Sequence, residues 1–195
     1  MCASQDSIHS PSHLEDPLAP ENGLWFDFYF KKLVINTLPP KQHNDTRGEA
    51  SRTALSKLYR SAGGKHWATA TSWLEGDTYP CTASWYGVKG CDSETENGYV
   101  EVTELNLPSN NLRGYLPTEL GLLTQLVSGF DVSGNSLNGS LPSQFGNFKN
   151  IWQNLRVSSN YLTGRLPTEF GELASLKHDA KFSFNEFSFS IPSEV

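Results

Sequence analysis

The sequence predicts a repeat solenoid, and three features of its second half lead to this prediction. From Val102 onward the chain repeats every 25 residues. In each unit two apolar columns alternate with polar residues, as in a half-exposed strand. An Asn column and a Pro column recur in register: Asn110, Asn135, Asn160 and Asn185, then Pro117, Pro142, Pro167 and Pro192. Periods of this length indicate stacked units, none of which can bury its apolar side alone.

Each column has a physical role in such a stack. The apolar pair of the first unit, Leu105 and Leu107, points inward from a short strand while Asn106 points outward. A carboxamide has donors and an acceptor, so stacked Asn side chains can satisfy the backbone groups of neighbouring units. Gly114 and its equivalents permit the bend, and the following Pro fixes φ. A continuous helix is excluded because Gly and Pro interrupt every unit.

The first two units, VTELNLPSNNLRGYLPTELGLLTQL and VSGFDVSGNSLNGSLPSQFGNFKNI, resemble the plant-type leucine-rich repeat LxxLxLxxNxLxGxIPxxLGxLxx. The resemblance implies an α/β leucine-rich repeat solenoid. This is a right-handed coil with short parallel concave strands, a convex side of loops and 3-10 turns, and an N-terminal helical cap. It also implies kinship with receptor-like kinase ectodomains and with polygalacturonase-inhibitor-like proteins.

Two departures from the family pattern are visible. Each internal unit has one extra residue before its strand, which we expect a loop to absorb without breaking the stack. The fourth unit has Ala180 at a core position and Phe189 where Gly is expected, so we predict an atypical last unit. No polar capping segment follows it, and we therefore expect the native protein to continue beyond Val195.

Residues 46–101 are predicted to form the N-terminal cap. A capping box, Thr46 to Glu49, opens an amphipathic helix that ends at Gly63-Gly64. The string GGKHWATATSWLEGDTYPCTASWYGVKGC resembles the cap that precedes plant-type repeats, and this resemblance implies a disulfide between Cys81 and Cys91. A metal or redox site is the alternative for this pair. Two Cys outside a CxxC arrangement do not reach a metal-ligand count, which favours the disulfide.

The predicted organisation is therefore a tail at 1–45, the cap at 46–101, and about four 25-residue repeats at 102–195, the last one atypical and truncated. The tail opens with a polar stretch of disordered character. Its aromatic segment, 24–35, could pair as a strand, bind a partner, or reflect a misassigned start of the reading frame. The chain shows neither a secretory signal peptide nor a transmembrane segment.

Localisation rests on the implied disulfide. It indicates an oxidising compartment, so we expect an extracellular protein, or one that is membrane-associated through sequence outside this chain. Asn44 and Asn138 each begin an N-glycosylation sequon.

The sequence offers little for catalysis. Its five His residues are scattered, and no GxSxG, HExxH, Walker-type or GxGxxG motif occurs. We expect no catalytic residues, metal or cofactor. The net charge of −6 and the absence of a Lys/Arg cluster argue against a nucleic-acid partner. A non-catalytic module that binds a protein or peptide is predicted. The alternatives are a fragment of a receptor-like kinase ectodomain and a secreted inhibitor of a cell-wall-degrading glycosidase.

In the resembled family the concave sheet is the usual contact surface. Here its outward residues are Thr103, Glu104, Asn106, Ser128, Asp131, Ser133, Asn154, Arg156, Ser158, Asp179 and Lys181. Asp131, Arg156 and Lys181 share one column, which reads either as a cross-strand charge ladder or as part of a binding face. Four strands of about five residues give only about 300 Å² of face. A standard interface needs about 800 Å² per partner, so flanks and cap must contribute or the chain is part of a longer array.

Overall fold

A computed structural model describes residues 46–76, 78–92 and 101–188. These residues belong to one compact unit, Asn44–Val195. The tail with its aromatic segment 24–35, the sequon at Asn44, and residues 189–195 lie outside the described part. Predictions made for them, including those for Phe189 and Pro192, stay predictions.

The cap begins with helix α1, Thr46–Ser61. Ala54, Leu55 and Leu58 have no exposed surface, and their spacing places them on one face of the helix. The helix ends two residues before Gly63, whose φ of 69° lies in the left-handed region that Gly adopts without strain. The amphipathic helix and its Gly-Gly stop are confirmed. The capping box involves the side chain of Thr46, which is not among the described ones.

Aromatic rings close the N-terminal end of the core. The centroids of Trp67 and Trp73 lie 4.8 Å apart, and those of Trp73 and Trp85 lie 5.0 Å apart. All three Trp side chains are buried. Buried indole N–H groups need partners. Those of Trp67 and Trp73 find them in the carbonyls of Ala62 and Tyr86, both at 2.8 Å.

The cap also contributes a strand that the sequence did not reveal. Strand β1, Val88–Asp92, runs antiparallel to β2, Glu101–Asn106. Its short segment contains a Gly and lacks clear apolar alternation, so the sequence pattern does not mark it. Cys81 and Cys91 are joined by a disulfide, as the resemblance implied, and the bond ties β1 to the preceding turn.

The first sheet, here called the concave sheet, has the strand order β1–β2–β4–β6. Strands β4, Gly129–Asp131, and β6, Leu155–Arg156, extend β2 in parallel. The fourth unit joins this sheet through two isolated bridges only, Gln153 with His178 and Arg156 with Lys181. The expectation of four repeat strands of about five residues is therefore wrong in detail, because the internal strands are shorter and the cap supplies the fourth strand.

A bulge accommodates the extra residue of the second and fourth units. The N–H groups of Val127 and Ser128 both donate to the carbonyl of Thr103, at 2.9 and 3.1 Å. The carbonyl of Trp152 accepts two successive N–H groups of the fourth unit in the same way, at 3.0 and 3.3 Å. Two residues opposite one is the defining count of a bulge. In these two units the insertion is thus absorbed by a bulge, as predicted for a loop that keeps the stack intact.

A second sheet, which the sequence did not predict, has the order β3–β5–β7–β8. Its strands are Arg113–Tyr115, Ser136–Ser140, Tyr161–Gly164 and Glu186–Phe187, all parallel. Each of the first three includes the Gly of its unit, at φ of 118°, 75° and 78°. Gly weakens a strand pattern, so these segments read as bends rather than as a sheet.

The convex side is confirmed as 3-10 turns. Their ranges are Thr118–Leu122, Ser143–Asn147 and Thr168–Glu172. Each follows a Pro of the repeat column, with φ of −78°, −64° and −59°. Proline fixes φ close to these values, which prepares the chain for a helical turn.

The Asn column forms the predicted ladder. The Oδ1 of Asn135 accepts the N–H groups of Asn110 and Leu112, at 2.9 and 3.0 Å. Its Nδ2 donates to the carbonyls of Leu107 and Val132, at 2.9 and 2.8 Å. The third and fourth units repeat the pattern. The Asn column therefore links successive coils.

The fourth unit is less buried than the others. Ala180, in an apolar column of the repeat, is exposed. Phe184 has 81% of its surface exposed, and Asn185 is only half-buried. Nothing in the described part packs over this end of the core.

Candidate functional site

Four charged residues of the concave sheet form one network. Asp131, Arg156 and Lys181 lie side by side on successive units, as predicted. The Arg156 guanidinium reaches Asp131 at 3.5 Å and also contacts Asp179, which in turn contacts the Lys181 ammonium at 3.0 Å. Asp179 thus separates two neighbouring cations. The network contains two carboxylates and two cations, and its formal charges cancel.

Hydrogen bonding shifts the protonation equilibria of this network. The bond from Arg156, followed by the bond from Lys181, holds the pKa of Asp179 below its ordinary value. The same contact with Asp179 raises the pKa of Arg156. Asp131 is buried, and its Oδ1 accepts hydrogen bonds from the Ser133 N–H and hydroxyl, at 2.9 and 2.6 Å. This carboxylate is fixed in place from two sides.

One polar atom of the network has no partner among the described residues. The Nε of Arg156 is buried and makes no hydrogen bond there. A buried donor without an acceptor is uncommon and unfavourable by about 1–3 kcal/mol.

An aromatic pair lies at the edge where the concave strands begin. Trp152 has 41% of its surface exposed, and its ring meets that of His178 edge-on at 6.0 Å between centroids. Val127, which is 37% exposed, is adjacent, because its carbonyl accepts the Trp152 N–H at 3.1 Å. His178 directly precedes Asp179, so this apolar edge adjoins the charge network.

The other predicted contact residues are distributed along the same sheet. Those of β2 are half-buried, and the cap strand β1 runs beside them. The Thr103 hydroxyl approaches the backbone of Gly90 so closely that a Cβ there would lie 2.3 Å from it. Asn154 has a structural role, since its Nδ2 donates to the Ser128 carbonyl at 3.1 Å and its φ is 57°. Ser133 and Ser158 flank the strands and are half-buried.

Sequence reasoning missed the aromatic edge. Val127 and Trp152 occupy the same column of the repeat, shortly before strands β4 and β6, so the 25-residue period alone places them side by side. A large aromatic residue outside the two apolar columns of the repeat indicates a possible binding residue, because Trp is enriched at binding hot spots.

Other possible sites are less developed. An open cleft of about 290 Å³ runs along α1 from Glu49 to Arg60, and a second of about 350 Å³ lies at the C-terminal end of α1; both are lined by Arg60 and Leu74. Across residues 46–76, 78–92 and 101–188, no group of three His, Cys, Asp or Glu could hold a metal ion. No helix in that part is long and apolar enough to cross a membrane.

Comparison with known proteins agrees with this architecture. Residues 128–148 and 152–173 match the Leucine Rich Repeat family. None of the curated proteins matches the sequence.

Among solved structures, the LRR ectodomain of the receptor kinase SOBIR1 from Arabidopsis thaliana is similar, with 22% identity and a TM-score of 0.55. The match covers 71% of this chain and 68% of that one. PEPR1-AtPEP1 is similar with 24% identity and a TM-score of 0.59, over 75% of this chain and 19% of that one. A plant ice-binding protein is similar with 22% identity and a TM-score of 0.59, over 78% of this chain and 45% of that one. At these identities the likeness shows the fold. The chain spans less than half the length of the last two.

Proposed function

We propose that the chain is a plant-type leucine-rich repeat protein and a non-catalytic recognition module that binds a protein or peptide through the concave sheet and its flanks; the matching repeat family and the similar solved structures support this. The observation that carries this proposal is the exposed Trp152, edge-on to His178 and adjoining the Asp131–Arg156–Asp179–Lys181 network. Trp and Arg are enriched among the few residues that dominate the binding energy of interfaces.

The network favours a particular kind of ligand contact. Its formal charges cancel, so it offers no net charge to attract an acidic or a basic segment. The Arg156 side chain is 33% exposed and a guanidinium has five N–H donors, which supports an acceptor, such as a ligand carbonyl, beside it. Trp152 and Val127 support an apolar or aromatic side chain beside it. We therefore infer that the ligand presents an apolar anchor next to a neutral hydrogen-bond acceptor.

The remaining contact residues would extend this centre along the sheet. They are Thr103, Glu104, Asn106, Ser128, Ser133, Asn154 and Ser158. Polar rims of this kind surround the hot spot of an interface and exclude water from it. The cap strand β1 adds surface beside β2, which supports a contribution of the cap flank to an otherwise small face.

The Cys81–Cys91 disulfide supports an extracellular site of action, because disulfides persist in oxidising compartments. Membrane association through sequence outside this chain is the alternative. Within the recognition class we keep two versions: part of a receptor-like kinase ectodomain, and a secreted inhibitor of a cell-wall-degrading glycosidase.

Selection of a ligand followed by substitution of Trp152 tests the proposal. Peptides that bind the wild-type protein are first selected from a random library displayed on phage. Their affinity is then measured by calorimetry for wild type, Trp152→Ala and Leu122→Ala. Leu122 is a matched control, since it is 42% exposed and lies on a convex 3-10 turn.

We expect Trp152→Ala to weaken binding by about 30-fold, the equivalent of a hot-spot loss of about 2 kcal/mol. Leu122→Ala should leave the affinity within about twofold. Selected ligands that bind Trp152→Ala as tightly as wild type would exclude the concave edge as the recognition site.

The inhibitor version has its own test. Purified protein is added to a polygalacturonase, and the rate of substrate cleavage is followed. Inhibition by wild type that is lost in Trp152→Ala supports this version. Absence of inhibition at micromolar protein removes this polygalacturonase as a target and favours the receptor-like version.

A further inference from the structure

Two exposed tyrosines flank an exposed asparagine on the second sheet. Tyr115 pairs with Asn138, and Asn138 pairs with Tyr161, so the three residues form one row across β3, β5 and β7. Each Tyr has 57% of its surface exposed. Neighbouring strands lie about 4.8 Å apart, so each Tyr stands one strand spacing from the Asn.

Asn138 differs from the ladder asparagines in having no structural task. Its side chain is exposed and makes no hydrogen bond to any of the described residues. Asn135, three residues earlier, is buried and fully bonded. An exposed polar side chain without a partner is available for modification.

The residues after Asn138 complete an acceptor site. Asn138-Gly139-Ser140 is an N-glycosylation sequon, and Ser140 is exposed. Asn138 is exposed as well, so a substituent on its side chain would project from the surface of the sheet. The folded sheet can therefore carry a bulky substituent at this position.

We propose that Asn138 carries an N-linked glycan whose first N-acetylglucosamine lies against Tyr115 and Tyr161. In the transfer, the Asn138 Nδ2 forms a bond to C1 of a lipid-linked oligosaccharide. The bond from C1 to the lipid pyrophosphate breaks, and the amide loses one proton as the pyrophosphate leaves. The proposal rests on the extracellular location proposed above, because this transfer belongs to the secretory pathway.

The flanking rings give the glycan a structural role. One face of a pyranose ring carries C–H groups, which pack on the face of an aromatic ring and cover its apolar surface. The sugar would cover the two tyrosines, which are among the most exposed large apolar side chains described. The second sheet would then be covered, and the concave sheet would remain the open face for a partner.

Occupancy is tested on the full chain, exported from a eukaryotic host behind a cleavable signal peptide. Intact mass and peptide mapping are compared for wild type, Asn138→Gln and Asn44→Gln, where Asn44 heads the other sequon. We expect a glycan on the peptide that contains Asn138, and its loss only in Asn138→Gln. An unmodified Asn138 in the secreted wild type would overturn the proposal. Selected peptides would bind the concave sheet in either case, so this failure is distinct from failure of the proposed function.

Two enzymes test the contact with the tyrosines. An endoglycosidase trims the glycan to its first N-acetylglucosamine. An amidase removes it entirely by hydrolysing the side-chain amide, which leaves Asp at position 138 in wild type and in every variant compared. In the Asn44→Gln background, trimming should leave the melting temperature unchanged. Complete removal should lower it by about 2–4 °C, a shift typical of a small loss of stability in a domain of this size.

The tyrosine variants supply the control. In Tyr115→Ala/Tyr161→Ala, complete removal should lower the melting temperature by less than half as much. Tyr86→Ala, which removes a 38% exposed tyrosine of the cap, should behave as wild type. An equal fall in the double variant and in wild type would show that the sugar does not rest on these rings.

Discussion

Asn135 is only 8% exposed, and its carboxamide joins the backbones of two successive coils. Its oxygen accepts two N–H groups and its nitrogen donates to two carbonyls. An Asp would lack the donors, and a Leu would leave three of these groups without partners, since only the Val132 carbonyl has a second donor, Asn160 Nδ2. The Asn column therefore follows from satisfying buried polar groups, whereas the Leu column follows from burying apolar surface.

We predict that Asn135→Ala lowers the free energy of unfolding by about 3 kcal/mol or more, since each buried group left unpaired is unfavourable by about 1–3 kcal/mol. Urea denaturation measures the loss. Asn138→Ala in unglycosylated protein is the control, and this exposed residue should change stability by no more than about 0.5 kcal/mol. Equal losses in the two variants would contradict the ladder.

Asp179 provides a residue-scale prediction that depends on pH. Its pKa is lowered by the hydrogen bonds from Arg156 and Lys181. A lowered pKa means that the carboxylate contributes stability above the ordinary Asp value of about 3.9, and that this contribution is lost as the pH falls through the folded value. Asp179→Asn should therefore be less stable than wild type at pH 7, and the difference should shrink below about pH 4.

Melting temperatures of both proteins between about pH 7 and pH 2 give the measurement. Glu186→Gln, at an exposed position of β8, serves as the comparison and should follow wild type throughout. A difference in melting temperature between Asp179→Asn and wild type that stays constant down to the lowest pH would rule out a stabilising Asp179 carboxylate.

At the scale of elements, the cap helix and the first coil are locked together at Gly114. The Arg113 N–H donates to the Ala62 carbonyl at 2.9 Å, just after α1 ends. A Cβ at Gly114 would lie 2.1 Å from the Ser61 carbonyl oxygen, and φ is 118°. Neither the backbone conformation nor the space admits a side chain there.

We therefore predict that Gly114→Ala destabilises the protein more than Gly139→Ala, its equivalent one unit later. Gly139 has φ of 75°, but a Cβ there meets only ordinary van der Waals contact. The conformational strain alone is unfavourable by about 1–2 kcal/mol, and the clash at Gly114 adds about 1–3 kcal/mol. The denaturant midpoints of the two variants measure their losses of stability. Equal losses would mean that α1 does not pack against Gly114 as described.

The elements that the sequence predicted are those with a repeating physical cause. The Leu, Asn and Pro columns recur because each coil must bury the same surface and turn at the same place. The second sheet and β1 lack such a pattern. Their segments contain Gly at bends, and their hydrogen bonds depend on neighbours that only the stacked fold supplies.

The candidate site divides in the same way. The Asp131, Arg156 and Lys181 column was visible because strand residues alternate. The bridging role of Asp179 was not visible, because φ of 61° and the bulge before it turn this residue toward Arg156 in a manner that alternation does not encode. The pairing of Trp152 with His178 likewise depends on contact between units.

At the scale of the whole molecule, the two sheets have different surfaces. The concave sheet carries the charge network and Trp152, whereas the second sheet carries the Tyr115–Asn138–Tyr161 row. The charge network and the tyrosine–asparagine row each contain residues of successive coils, so a single repeat has neither. Stacking is what brings these side chains together, and recognition would therefore require the folded array.

Hydrogen–deuterium exchange of the protein with a selected peptide ligand tests the concave-sheet assignment most directly. Amides are compared in the free and bound states at 150–158 and 176–183, which contain the aromatic edge and the network. The control segments are those of the second sheet, 113–115 and 136–140. We predict slower exchange in the first set on binding and unchanged exchange in the second. Protection confined to the second sheet or to α1 would contradict recognition through the concave sheet.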